Sequence, residues 1–205
     1  MENPSQTLSS AAAFVRREAE AVAKVADQLD ESLLEVANLI THSGGKVIVT
    51  GSGTSGTIAR RLAHLLSVTG TPALYQNPGD GLHGSLGVAT VGDVVIAISK
   101  GGESMELAEF VTRTKERGAG AVALTATPES SLAALADVVV TVDSSAADPS
   151  GIIAMGSTLA TAAWGDALAM ILMGQRQYTW EQVLHSHPGG AVGKYSEELL
   201  RSVKD

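Results

Sequence analysis

Three stretches of this 205-residue chain concentrate side chains able to hold an anion or move a proton. Gly51-Ser52-Gly53-Thr54-Ser55-Gly56 follows a short β-branched run and spaces its glycines as G-x-G-x-x-G. Ser99-Lys100-Gly101-Gly102-Glu103-Ser104 follows another apolar run, and Asn77–Gly87 is glycine-rich with His83 within it. Glycine lets the backbone approach a ligand closely, and a helix opening after such a turn offers unpaired N–H groups to an anion. Taken singly, each stretch also has a plain reading: a tight turn with Ser55 as N-cap, Glu103 as a carboxylate at a helix start, His83 as a solvated side chain. The pair of hydroxyl-bearing loops carries more information than either alone, because two such loops on adjacent strand ends can clamp one phosphate from both sides.

Two familiar alternatives fail on specific residues. A dinucleotide site needs an acid ending the second strand to hold the ribose hydroxyls. That strand ends Leu74-Tyr75-Gln76-Asn77, and the first carboxylate, Asp80, lies beyond Pro78-Gly79. A P-loop needs Lys after the last glycine, and Gly56 is followed by Thr57. His185-Ser186-His187-Pro188-Gly189-Gly190 carries two imidazoles with no cysteine or nearby acid, so no metal site is expected there. Asp166, inside an apolar stretch, needs a named polar partner or a place on the floor of a site, because a buried unpaired carboxylate is costly. Trp164 and Trp180 read as packing residues.

These loops need elements to hold them. Residues 7–42 repeat apolar positions at three- and four-residue spacing and read as helix, stopped by His42-Ser43-Gly44-Gly45. Strands are expected over Lys46–Thr50, Pro72–Tyr75, Asp93–Ser99, Ala121–Thr125 and Asp137–Val142. They are rich in Val and Ile with little alternation, the mark of strands buried on both faces. Amphipathic helices are expected between them over Ser55–Val68, Ser104–Arg117 and Pro128–Leu135, then a long helix over Gly151–Gly174 and a short one near Trp180–His185. This alternation predicts an α/β fold of one domain with a parallel sheet, whose ligands bind beyond the carboxyl ends of the strands.

Composition removes several classes. The chain has no cysteine, which excludes thiol catalysis, cysteine-based zinc sites and a disulfide scaffold. Its net charge of −8 without a basic cluster argues against nucleic acid, so any anion must be held by local donors. Met155–Met173 contains Asp166 and several Ser, Thr and Gly, so it reads as a buried helix and not a membrane span. The N-terminus lacks a basic and an apolar region, so no signal peptide and a cytoplasmic location are expected.

Together the loops resemble the sugar isomerase (SIS) domain, and more narrowly the arabinose-5-phosphate isomerases of the KpsF/GutQ type. The matching stretches are Gly51–Gly56, Thr69–Pro72, His83-Gly84-Ser85-Leu86-Gly87, Asp93–Ser104, Ala136–Val138, Gly165–Ala169 and Ser186–Gly190. The resemblance implies a three-layer αβα sandwich with a five-stranded parallel sheet, in which a helical arm (1–45) precedes the SIS domain (46–205). It implies that Ser52, Ser55, Ser99 and Ser104 bind a substrate phosphate, with Gly53, Thr54, Lys100 and Gly101 completing the loops. Glu103 corresponds to a catalytic carboxylate, His83 and His187 to active-site histidines, and Asp166 is drawn toward the site. The implied reaction interconverts an aldose 5-phosphate and its ketose through an enediolate, with no cofactor or metal, in a homotetramer with shared active sites and no membrane partner. A non-catalytic phosphosugar-binding protein, or another SIS isomerase such as a hexulose-phosphate isomerase, remain the alternatives.

The chain departs from that pattern at three places. Thr54 stands where the type has Lys, and the usual S-x-S-G-E reads Ser99-Lys100-Gly101-Gly102-Glu103. Lys100 either restores the missing cation or points to solvent. The sequence ends at Asp205, where many members continue into paired CBS domains, so a bare catalytic or binding unit is expected.

Overall fold

The computed structural model describes residues 3–143 and 145–189. Its chain opens with α1 (Pro4–Lys24) and α2 (Glu31–His42). The apolar periodicity reads as one helix over 7–42, but a 3-10 turn over Val25–Gln28 and extended backbone at Leu29 and Asp30 divide it. The division has local and distant causes. Asp30 caps α2 by accepting from the Ser32 N–H at 2.9 Å. The Gln28 side chain meanwhile donates to the Asp143 carbonyl at 3.0 Å and accepts from its N–H at 2.7 Å, a tie across 115 residues.

Strands and helices then alternate: β1 (Val47–Thr50), α3 (Gly53–Val68), β2 (Ala73–Gln76), α4 (Pro78–Leu82), β3 (Val94–Ile98) and α5 (Met105–Glu116). β4 (Gly120–Thr125), α6 (Ser131–Leu135), β5 (Val138–Thr141), α7 (Gly156–Gln175) and α8 (Trp180–His185) follow. All pairings are parallel, in the order β2-β1-β3-β4-β5. Each expected strand is present within one or two residues of its expected ends. The helical turn α4 was expected as loop; Asn77 caps it and Pro78 supplies its first turn.

Every residue of β1 and β3 is buried, and their side chains alternate between two cores. Val47, Val49, Val94 and Ile96 face α2, α3 and α7, while Ile48, Val95 and Ala97 face α5 and α6. Trp164, at 1% exposure, fills the first core as expected; Trp180 opens α8 and is 46% exposed, so it is not a packing residue of this chain. At the amino ends of β1 and β3, buried Asp93 accepts from the Lys46 N–H at 3.0 Å, the Lys46 ammonium at 2.6 Å and the Thr90 N–H at 2.7 Å. Burial alone would raise the Asp93 carboxyl, but these donors outweigh it and hold it below its ordinary value. Among the described residues no helix is long and apolar enough to cross a membrane.

Because β1 passes to β2 on one side and its other neighbour is β3, strand order reverses between β1 and β3. The loops after these two strands flank that point, where open α/β sheets leave a crevice. His83 is carried beside them by α4, which lies directly on α5: a Cβ at Gly81 would stand 2.4 Å from the Phe110 ring. Gly81→Ala is therefore expected to push α4 outward and to cost about 1–3 kcal/mol, read as a lowered urea midpoint with unchanged slope.

Candidate active site

The loop after β1 is set by its glycines and by the opening of α3. Gly53 takes a φ of 57°, a conformation that favours glycine, and a Cβ at Gly56 would stand 2.6 Å from the Gly51 carbonyl. The helix begins at Gly53, two residues earlier than expected, so the N-cap is Ser52 and not Ser55. Ser52 makes no capping hydrogen bond, and its hydroxyl is buried without a partner. An orphaned hydroxyl beside the unpaired N–H groups of a 16-residue helix is what an anion site requires. Thr54 is exposed, and Ser55 is half-buried and lines the adjoining cleft.

In the loop after β3 the hydroxyls are already engaged. Ser99 Oγ accepts from the Gly102 N–H at 3.1 Å, and Ser104 caps α5 by accepting from the Leu107 N–H at 3.4 Å. Gly102 has a φ of 67° and packs so closely on Ser130 that any Cβ would overlap its side chain. Gly101 is exposed with open space above it. The loop is stitched to β4 through the Lys100 carbonyl, which accepts from the Ala126 N–H and the Thr125 hydroxyl, each at 3.0 Å.

Lys100 is neither free nor directed only to solvent. Its ammonium lies 2.6 Å from Asp148 Oδ2 and 3.3 Å from the Gly151 carbonyl. Asp148 has a fully buried side chain, and its Oδ1 accepts from the Met155 and Ser157 N–H groups, both at 2.9 Å. Burial pushes the Asp148 carboxyl up, yet Lys100, Ser157 and Met155 overcome this and hold it at about 2. The Ser157 hydroxyl favours the Asp148 charge by proximity but does not reach hydrogen-bond geometry with any partner.

Between these loops and α7 lies a small open cleft. Of the residues expected at the site, Ser55 and Lys100 line it; Ser157, Thr158 and Thr161 complete its polar wall, and Ile58, Ile98 and Leu124 its apolar one. The hydroxyls of α7 escaped sequence reasoning, although Gly156-Ser157-Thr158 with Thr161 one turn later is a legible helix-opening pattern. Asp148 escaped for a better reason: nothing local marks it.

The expected catalytic side chains do not line this cleft. Glu103 turns toward α6, on the opposite face of the sheet, where it accepts from the Ser131 N–H at 3.0 Å and hydroxyl at 2.6 Å. These two donors hold its carboxyl below the ordinary glutamate value. His83 is exposed at the end of α4. His187 follows α8 and its Nδ1 lies 2.6 Å from the Val183 carbonyl. A carbonyl only accepts, so Nδ1 carries the proton and Nε2 of the neutral ring keeps its lone pair. Asp166 does not reach the cleft either. It pairs with both terminal nitrogens of Arg61, at 2.5 and 3.0 Å, and both side chains are about half exposed. Arg61 lies six residues beyond Ser55, about 9 Å farther down α3. Gly190 and the residues after it, including the last glycine of the expected histidine turn, lie outside the described residues.

Residues 39–171 match the SIS domain. The chain belongs to the SIS domain family. It is 39% identical over 189 residues to arabinose 5-phosphate isomerase KdsD of Escherichia coli K12, covering 92% of this chain and 57% of that protein. To the KdsD of Pseudomonas aeruginosa PAO1 it is 34% identical over 209 residues, covering 99% of this chain and 63% of that protein. The chain thus spans about three-fifths of the length of these curated relatives. Among solved structures, Escherichia coli CFT073 c3406 in complex with arabinose 5-phosphate superposes with a TM-score of 0.85 at 31% identity, covering 91% of this chain and all of that one.

Within this SIS domain the Lys100–Asp148 pair joins the second loop to the start of α7, and the net stabilisation of the Asp148 charge by burial and all its donors can be read from pH. The Asp148 carboxyl falls from an ordinary 3.8 to about 2 on folding, which corresponds to roughly 2 kcal/mol. A depressed pKa stabilises the fold above the unfolded value, and that stability is lost as pH falls through the folded one. Urea unfolding of wild type and Asp148→Asn should differ by a constant amount from pH 5 to 7. The gap should shrink by about 2 kcal/mol between pH 4 and pH 2.

Proposed function

We propose that this SIS domain interconverts a pentose 5-phosphate aldose and its ketose, of the arabinose 5-phosphate and ribulose 5-phosphate type, through an enediolate. The observation that carries the proposal is the buried, unpartnered Ser52 hydroxyl at the opening of α3, placed where strand order reverses and opposite a second Ser/Gly loop. Support comes from the relatives named arabinose 5-phosphate isomerase and from the neighbour described in complex with arabinose 5-phosphate. The phosphate is held by the hydroxyls and N–H groups of Ser52, Gly53, Thr54 and Ser55 on one side and of Ser99, Gly101 and Ser104 on the other. This is a site of neutral donors in a chain of net charge −8.

Glu103 is the base. Its carboxylate takes the proton from the carbon next to the aldose carbonyl while a histidine protonates the carbonyl oxygen, giving the enediol. The proton returns to the former carbonyl carbon as the neighbouring hydroxyl gives up its own, and the ketose results. His83 and His187 move the oxygen-bound protons, with Nε2 as the acting nitrogen of His187. No organic cofactor or metal enters these steps. The phosphate supplies binding energy far from the reacting carbons.

The site is completed by other copies of the chain in a homotetramer, and the protein works in the cytoplasm. Met105, 87% exposed beside Glu103, and Ile152, 83% exposed beside the cleft, are apolar surfaces that such copies would cover. A second reading, binding without turnover, is favoured by the neutral Thr54 and by the engagement of Glu103 with Ser131.

Incubation with arabinose 5-phosphate in deuterated water separates the two readings: turnover incorporates deuterium next to the carbonyl, and binding alone does not. Glu103→Gln should lower exchange and kcat by about 100-fold or more while the KM changes little. Ser131→Ala removes both the hydroxyl donor and the competitor of the substrate. The Glu103 pKa should rise toward its ordinary value, moving the acid limb of the kcat/KM profile to higher pH.

A further inference from the structure

The ammonium of Lys100 has no counterpart in the usual loop pattern, and its surroundings in the fold define what it can do. A lysine ammonium has three N–H donors. One goes to Asp148 Oδ2 at 2.6 Å and a second to the Gly151 carbonyl at 3.3 Å, so one remains, and Lys100 lines the cleft. Its charge is not available in the way a phosphate would need. The Asp148 side chain is fully buried, and an ionised carboxylate left there without its cation would be strongly destabilising. Lys100 therefore stays with Asp148, and the two act as a neutral unit with a directed donor. Among the described residues no other charged side chain lines the cleft; its remaining polar groups are the Ser55, Thr125, Ser157, Thr158 and Thr161 hydroxyls. Such a wall suits a polyhydroxyl chain and is a poor phosphate cradle.

Asp148 itself is not a base. Its Oδ1 accepts two N–H groups and its Oδ2 the ammonium, and it stays ionised at any ordinary pH. It holds two parts of the site in one place: the ammonium at the end of β3 and the first turn of α7, where Ser157 is only 7% exposed and its hydroxyl is unpartnered.

We propose that Lys100 is a catalytic donor to a sugar oxygen, not a phosphate ligand, and that Asp148 is the residue that positions it together with the Ser157 hydroxyl. The phosphate then sits at the opening of α3, and the carbon chain runs along α7 past Ser157 and Lys100. The spare N–H of Lys100 is directed to an oxygen of that carbon chain, where it offsets the negative charge that spreads over the sugar oxygens on enolisation. This rests on the isomerase reading for its chemistry but on the cleft alone for its geometry.

The test compares Lys100→Met, Lys100→Arg, Asp148→Asn and the double variant Lys100→Met/Asp148→Asn in the full chain. Isomerisation of arabinose 5-phosphate is measured by kcat and KM, and the binding of inorganic phosphate and of arabinose 5-phosphate by calorimetry at low and high salt. Lys100→Met should lower kcat roughly tenfold or more while inorganic phosphate binds within about twofold of wild type. Lys100→Arg should recover part of the loss. Asp148→Asn should lower kcat by a similar factor yet bind inorganic phosphate about threefold tighter or more, with a steeper salt dependence, because it frees the ammonium. The double variant should lose that gain and fall no further in turnover than either single change, as expected of residues acting as one unit.

The proposal is overturned if Lys100→Met weakens inorganic phosphate as much as it weakens arabinose 5-phosphate, or if the single losses multiply in the double variant. If Lys100→Met does not fold, the double variant, which leaves no buried charge unpaired, decides through the same split between phosphate and sugar phosphate. A wild type that binds arabinose 5-phosphate without isomerising it overturns the enzyme reading only. The comparison of the two affinities still decides the role of Lys100.

Discussion

The reversal of strand order between β1 and β3 is the constraint on which the site depends. A strand that is buried on both faces and paired on both edges cannot shift without breaking two ladders, and β1 and β3 are both of this kind. Their carboxyl ends are therefore held side by side. Connections that leave in opposite directions open a crevice between them. Everything polar that follows, Ser52 with the first turn of α3 on one side and the Ser99–Ser104 loop on the other, is placed by that pairing. At the far end Asp93 draws the Lys46 and Thr90 donors together and closes the amino edges of the same two strands.

Charge is used sparingly around this crevice. A chain of net charge −8 repels an anion at long range, so the proposed phosphate site relies on short-range donors with fixed directions. The opening of α3 provides them without any formal charge, and the one lysine in the cleft is neutralised by a buried aspartate. The arrangement trades field strength for direction. It also ties the second loop to α7, so the polar wall of Ser157, Thr158 and Thr161 cannot move independently of the loop after β3.

The legibility of individual residues follows the range of the forces acting on them. β1 and β3 were legible because burial on both faces demands runs such as VIVT and VVIAI. The first loop was legible because close packing between Gly56 and the Gly51 carbonyl demands glycine. The break at Val25–Asp30 was not, since it is reinforced by Gln28 bonding to Asp143 across 115 residues. Asp166 showed only that it required a partner; that the partner is Arg61, away from the cleft, follows from how α3 lies along α7. Trp180 read as core because it is large and apolar, yet its side chain opens a short helix at the surface.

By itself the amino-acid sequence determined the α/β alternation, the parallel sheet, the family and the two glycine- and hydroxyl-rich loops after β1 and β3. Each of these is written in patterns of a few neighbouring residues, where backbone sterics and burial act locally. Only the tertiary structure decided which side chains meet. It turned Glu103 to Ser131, bound Lys100 to Asp148 across 48 residues, left the Ser52 hydroxyl without a partner and added the α7 hydroxyls to the cleft. Hydrogen bonds and ion pairs act over a few ångströms whatever the distance along the chain, so no spacing in the sequence records them.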